Sequence, residues 1–485
     1  MSERITNLRP ALAFAAAGSL LVLSACMVGP EYRRPIAPSA PGFKEAVPEG
    51  WTAAQPNDGA LRGAWWEIYN DPQLNQLEGQ VSMTNESVIA AEARFREAKS
   101  VVRAARASQW PIVTTSPAAT ASAASVSGTG ASPTAQRRSF EVPLDVAYQA
   151  DVWGSIRRTV AANAAVAQAS ASELESARLL YQSELAVDYF QIQGLDAEQR
   201  LLDTAVKSYE QYVQLTKDRF EGGIASMDDV ALAQTQLETA RVQLTDLQIQ
   251  RAELEHAIAV LAGKPPSDIS ISTMLSQSPP PPEQVGVPTT LLERRPDIAT
   301  AEREVAAANE QIGIAKAAFY PSLTLSATGG SQTTAFDLFS WPTRFWSVGP
   351  QMVETLFDAR KRKAEVAEAR AAYDATVANY RQAVLTAFQQ VEDSLAELRV
   401  LAEETDVENR AVAAAKQTLE LSTIQYRGGL TNYLQVIIAQ TSALQSQRAA
   451  VQILTRRNVA SVLLIEALGG GWDASQLPSA KEVRG

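Results

Sequence analysis

Phe220-Glu221-Gly222-Gly223-Ile224 and Tyr426-Arg427-Gly428-Gly429-Leu430 carry one pattern twice, with Gly222 answered by Gly428 at an offset of 206 residues. A glycine can enter the left-handed conformation that ends a helix and turns the chain. Around each pair the chain is free of proline, from Pro143 to Pro265 and from Pro350 to Pro478. Both stretches are rich in Ala, Gln, Glu, Leu and Arg, which are strong helix formers. Each half therefore predicts a very long helix, a tight turn and a long returning helix. The outgoing arms run from about Ser155 to Glu221 and from about Ala359 to Arg427. Each would be roughly 100 Å long at ~1.5 Å per residue. Gly194 predicts a break in the first arm. Such helices bury their apolar stripes only by packing side by side as coiled coils.

The echo extends in both directions. Ala233-Gln234-Thr235 matches Ala439-Gln440-Thr441 at the same offset, Trp110-Pro111 matches Tyr320-Pro321, and Gly263 and Gly469 close the returning helices. A period of about 200 residues reads as a duplicated domain, not a short solenoid unit. Two internal repeats are predicted over 64–264 and 291–470. Between them lies a Pro-rich linker, 265–290, whose Gln277-Ser278-Pro279-Pro280-Pro281-Pro282 is a stiff spacer. An extended segment, 26–63, precedes the repeats, and a tail, 471–485, follows them.

Strand signals lie between the helices. From Ser139 to Trp153, Phe140, Val142, Leu144, Val146, Tyr148, Ala150 and Val152 alternate with polar neighbours. That length could cross a bilayer as a tilted strand, which needs roughly 9–11 residues. The counterpart is Phe345 to Phe357, where Trp346, Val348, Met352 and Leu356 share a face interrupted by Glu354. Weaker partner strands run from Ile112 to about Ala123 and from Ser322 to Gly330. Polar loops, Ser127–Arg138 and Ser331–Arg344, join each pair. Trp341 and Trp346 stand where an aromatic girdle would lie. The alternation alone fits a hairpin half-buried in a soluble domain equally well.

Composition narrows the function. Among 485 residues there is one histidine and one cysteine, and the formal net charge is −11. Metal and Cys/His chemistry draws on several such side chains, and nucleic-acid binding needs clustered cations. No enzyme motif is found, so a non-enzyme is predicted, with no cofactor, no metal and no nucleic-acid partner. At the N-terminus, Arg4 and Arg9 precede an uncharged apolar stretch, Ala11–Leu23, too short to span a bilayer. Residues 1–25 have the three-part form of a secretory signal. Leu23-Ser24-Ala25-Cys26 resembles the lipobox of bacterial lipoproteins, which implies cleavage before Cys26 and lipid on its sulfur. An ordinary signal peptide ending at Ala25 is the alternative.

Four strands cannot close a spanning barrel, and open edges do not survive in lipid. Several chains must share one barrel, with the long helices extending it. The fold class is thus an α+β membrane protein. At this point the sequence resembles the TolC-type outer-membrane factor family, and more closely its lipoprotein branch serving RND efflux pumps. Four stretches carry the resemblance. They are Cys26-Met27-Val28-Gly29-Pro30-Glu31-Tyr32-Arg33-Arg34-Pro35; Trp65-Trp66 with Asp71-Pro72 and Leu74; Leu291-Leu292-Glu293-Arg294-Arg295-Pro296-Asp297-Ile298 with Ala301-Glu302; and the Gly-Gly turns with the following Ala-Gln-Thr. The resemblance implies a homotrimer with a 12-stranded transmembrane β-barrel, four strands per chain, continued by a coiled-coil tunnel through the periplasm. It also implies a periplasmic adaptor docked at the tips, an inner-membrane RND pump and contact with outer-membrane lipid. Small molecules such as drugs would pass through passively.

Candidate working residues follow. Gly222, Gly223, Ile224, Gly428, Gly429 and Leu430 are adaptor-docking tips, or simply the turns that any helical hairpin needs. Asp228, Asp229, Tyr433 and Gln435 are gate candidates. Asp228 and Asp229 could equally serve a helix N-terminus. The family often has an acidic residue before the second Ala-Gln, where Ile438 stands here, with Leu232 as its first-half equivalent. His256 reads as a packing or surface residue. Arg157-Arg158 and Arg360-Lys361-Arg362-Lys363 read as cations at the membrane rim or solvated helix starts. The competing function is the duct of a type I protein secretion system. A structural coiled-coil lipoprotein would leave the apolar strand faces unexplained.

Overall fold

The computed structural model describes residues 27–40, 42–46, 52–53, 63–124, 135–273, 277–281, 284–285, 294–334 and 341–484. Cys26, the signal segment and most of the first strand-joining loop lie outside these residues. Helices α1 (Pro72–Thr84) and α2 (Glu86–Ala107) lead into a sheet. Then come α3 (Ser155–Glu221) and α4 (Met227–Leu261). After α5 (Pro296–Ala317) and the remaining strands follow α6 (Lys361–Arg427) and α7 (Tyr433–Ala467), with a short α8 (Ala480–Arg484) at the end. The two long arms have 67 residues each and the two returning helices 35 each.

The first arm does not break at Gly194. The helix passes straight through, and a Cβ there would strike Thr455 of α7. The glycine permits close helix approach, which outweighs its cost of about 1 kcal/mol in a helix interior. Nearby, Trp65, Leu74, Leu185, Tyr189 and Ile192 pack with Ile258, Val462 and Ile465, fusing both hairpins midway along their length. Asp71 caps α1 and accepts a hydrogen bond of 2.7 Å from the Tyr189 hydroxyl. Arg295 grips Asp297 in a fork and donates to the Ala467 carbonyl at 2.9 Å, tying the start of α5 to the end of α7.

Strands β2 (Ile112–Thr115), β3 (Ala118–Ala124), β4 (Ala135–Ala150), β6 (Ser322–Thr333) and β7 (Arg344–Val353) form one antiparallel sheet. β2 and β3 lie end to end along the same edge of β4, then β6 and β7 follow. The partner strand expected as one piece is cut at Ser116-Pro117, because proline has no N–H to give the ladder. Among the described residues the sheet is open at β7 and at the β2/β3 edge. A two-residue β1 (Thr52–Ala53) pairs in parallel with β5 (Gln284–Val285).

The N-terminal segment is laid along α5 and α6. Tyr32 donates to Glu302, Arg34 to the Tyr380 hydroxyl, and the Glu392 carboxylate accepts from the backbone N–H groups of Lys44 and Glu45. Gln277 and Ser278 of the linker rest on α7 through Thr455 and Asn458.

Candidate functional site

The sheet register sorts side chains into two unlike faces. Residues directly opposite in a ladder share a face. Val142, Leu144, Val146 and Tyr148 therefore lie with Leu323, Leu325, Ala327, Trp346, Val348 and Met352. The opposite face carries Glu141, Asp145, Gln149, Thr324, Ser326, Thr328, Ser347 and Gln351. On that polar face the Thr328 hydroxyl donates to Asp145 at 2.7 Å. The apolar face is open: Trp346 is 80% exposed and Val348 72%. A continuous apolar face of this kind needs an apolar surrounding, and its polar back needs water. Exposed aromatics bracket it, Trp341 at one end and Trp110, Phe319, Tyr320 and Phe357 where the sheet meets the helices. Among the described residues, no helix is long and apolar enough to cross a membrane.

At the other end the helical hairpins turn. Gly223 (φ +68°) and Gly429 (φ +77°) take the left-handed conformation. Ile224 N–H donates to the Arg219 carbonyl and Gly223 N–H to Phe220, and the second turn repeats this with Leu430 to Gln425 and Gly429 to Tyr426. These paired bonds form a Schellman motif, which satisfies the last carbonyls of each arm. Ile224 and Leu430 project from the turns at 70% and 82% exposure. Ser226 and Asn432 cap the returning helices.

The sequence profile of the outer membrane efflux protein family matches residues 79–264 and again 287–470. The chain belongs to the outer membrane efflux protein family. It is 30% identical over 465 residues to the probable efflux pump outer membrane protein SepC of Pseudomonas putida, covering 93% of this chain and 95% of that one. It is also 30% identical to the pyoverdine export outer membrane protein OpmQ of Pseudomonas aeruginosa, over 96% and 99% of the two chains. Its fold matches the outer-membrane channel OprN with a TM-score of 0.84 at 28% identity, covering 92% of this chain and all of OprN's. VceC of Vibrio cholerae gives 0.79 at 29% identity, over 85% and 100%. This efflux protein is thus an outer-membrane channel component whose helical part reaches into the periplasm, in a family of transport proteins.

Several expected site residues of the efflux protein stand elsewhere than the sequence implied. Tyr433, a gate candidate, is buried against Tyr426 at 5.3 Å and Tyr212 at 6.2 Å, in a cluster with Tyr209, Val213 and Val436. Burial pushes its hydroxyl pKa well up, so it stays neutral and packs between the two hairpins within the chain. Asp229 forms a capping box with Ser226, the helix-start role. Asp228 and Gln435 are exposed, as are Leu232, Leu434 and Ile438 on the same helices. His256 is exposed.

Arg158 is not a rim cation. Its side chain is buried, ion-paired with Glu310 at 2.7 Å and donating to the Val28 carbonyl at 2.6 Å, in a slot between Gly29 and Gly313. Arg157 pairs with Asp151 at 3.2 Å. Arg362 pairs with Asp358 at 2.5 Å and lies over the Phe319 ring, while Arg360, Lys361 and Lys363 stay exposed. The sequence reading also missed Arg219, whose guanidinium stacks on Tyr426, 4.8 Å from the ring centroid. Tyr209 and Tyr212, one turn apart on α3, were the available signal for this tyrosine cluster.

Proposed function

We propose that three copies close one twelve-stranded barrel, each giving four strand positions, and that their long helices form a tunnel from that barrel across the periplasm. The observation that carries this is the two-faced sheet with open edges, set on helices roughly 100 Å long. An open edge cannot remain unpaired in hydrocarbon, so neighbouring copies must complete it. The double match of the family profile supports two internal repeats, which we draw at 64–264 and 291–470. The 1–25 signal, the 26–63 segment, the 265–290 linker and the 471–485 tail complete the division.

Lipid on Cys26 fits the same arrangement. Val28 N–H donates to the Trp153 carbonyl at 3.1 Å, where β4 gives way to α3 beside the aromatic rim. An acyl chain two residues earlier would enter the membrane there. The tips carry the docking reading: Gly222, Gly223, Ile224, Gly428, Gly429 and Leu430 would meet a periplasmic adaptor joined to an inner-membrane RND pump. The gate lining falls to Asp228 and Gln435 with the exposed apolar Leu232, Leu434 and Ile438. Transport would be passive conduction of small molecules. SepC is named as an efflux pump protein and OpmQ for pyoverdine export, which favours an efflux duct over a protein-secretion duct.

The test is accumulation of dyes and antibiotics in a strain lacking the gene, restored with wild-type protein or with Leu430→Asp. The wild-type gene lowers accumulation. Leu430→Asp leaves it high while trimer levels stay normal. Full efflux by that variant would remove Leu430 from the docking surface.

A further inference from the structure

One end of α2 gathers cations that its counterpart lacks. Arg96, Lys99, Arg103 and Arg106 recur at spacings of three and four, so they share one side of the helix, and no acidic residue follows Glu97. The C-terminal half of α5 carries Glu310 and Lys316 only. A helix C-terminus favours a cation in its last turn, but not a run over two turns. The C-terminal helix α8 adds more. Val483 is buried against Val102 and Ala167, and Arg106 Nη1 donates to the Arg484 carbonyl at 3.0 Å, which fixes α8 on α2 and α3.

Between them lies a cavity of about 990 Å³, lined by Arg106, Gln109, Val160, Ser479, Lys481 and Arg484 among others. Glu482 also borders it, but its carboxylate accepts the Ser479 N–H at 2.7 Å as a helix cap and is held below the usual range by that bond. Three cations thus face one committed anion. The Nε–H of Arg484 is buried and has no hydrogen-bond partner among the described residues. A buried guanidinium N–H without a partner costs about 1–3 kcal/mol and asks for an acceptor.

The cavity's position says which acceptor. Val160 lies five residues into α3, about 8 Å from its sheet end. Arg106 is followed by Trp110 and Val113, both strongly exposed, and Val113 stands opposite Val146 at the base of the apolar sheet face. Cations just below an aromatic belt are where phosphate headgroups lie. We propose that this cavity holds the phosphate of an anionic glycerophospholipid in the periplasmic leaflet, with Arg106, Lys481 and Arg484 as its ligands and the acyl chains along Trp110 and Val113. This rests on the membrane reading of the sheet.

The test reconstitutes the full protein into vesicles of pure phosphatidylcholine, or of phosphatidylcholine with phosphatidylglycerol. Native mass spectrometry then counts the lipid retained per protomer. The variants are Lys481→Gln, and Lys481→Gln with Arg484→Gln. The wild type retains phosphatidylglycerol and not phosphatidylcholine, and inorganic phosphate does not displace it. Loss of two cations weakens retention about thirtyfold, at about 1 kcal/mol per cation. Lys481→Gln alone, at an exposed side chain, gives about fivefold and guards against a folding defect. Unchanged retention in both variants, or full displacement by inorganic phosphate, overturns the lipid site. Failure of the wild type to insert even into pure phosphatidylcholine would instead overturn the membrane reading and the site with it.

Discussion

α3 and α6 are equal in length and unequal in surroundings. Within the chain α3 buries 27 of its 67 residues and α6 only nine. α3 is enclosed by α2, α4, α5 and α7, whereas α6 lies at one side and leaves Leu385, Val400, Val407, Leu421 and Ile424 exposed. The two turns at their ends nonetheless share the same pair of Schellman bonds. Local sequence therefore shapes the hairpins, while position in the chain decides what covers them. The exposed apolar side of α6 fits the proposed trimer better than a solitary structural protein.

The hardest blow to this contrast falls on the α3 side. Arg158→Ala strands Glu310 and removes the tie to Val28. Breaking a buried pair in this way costs about 3–5 kcal/mol, read as a lower midpoint in denaturant or heat in detergent. Arg157→Ala next door, at a part-exposed pair, costs under about 1 kcal/mol. Equal losses would mean that burial does not separate the two arginines.

A second pair sharpens the comparison across the arms. Leu185→Ala, in the fully buried core midway along α3, destabilises by about 3 kcal/mol. Leu421→Ala on exposed α6 changes the fold of a single chain by less than about 0.5 kcal/mol. Ile424→Glu keeps helicity by circular dichroism but lowers the trimer fraction on native gels. If Ile424→Glu assembles normally, the exposed side of α6 is not an interface between copies.

How far the sequence foretold this follows the same division. The long arms were legible to within two residues, because proline is excluded from helix interiors and paired glycines end them. The two-faced sheet was legible from alternation, but not its cut at Ser116-Pro117. Gly194 was misread because a sequence does not tell a helix breaker from a site of close approach; that depends on Thr455, 261 positions away in the chain (455 against 194). Tyr433 and Arg158 were misplaced for the same reason. Polarity and nearness to a turn suggested exposure, and packing partners from distant segments buried them. The basic cavity was hidden because α8 meets α2 only in three dimensions.

The smallest effect concerns one charge on α3. Asp188 is half-buried with Glu184 one turn before it, and burial first, Glu184 second, push its carboxyl up to about 6 from 3.8. A carboxyl raised on folding favours the folded state while it is protonated. That contribution is whole below about pH 4 and is lost as pH rises through about 6. Asp188→Asn, a permanently neutral mimic, should therefore stabilise at about pH 7 and do nothing at about pH 4. The gain is on the order of 1 kcal/mol, reduced from the full shift because the side chain keeps partial access to water. At the matching offset of 206, α6 carries Ser394, which does not titrate in this range. The Asp188 contribution thus has no counterpart at the matching position of α6. Melting curves of wild type and Asp188→Asn at the two pH values decide it: an equal difference at both would mean that the carboxyl is already ionised at about pH 4 and that α3 encloses it less than its surroundings suggest.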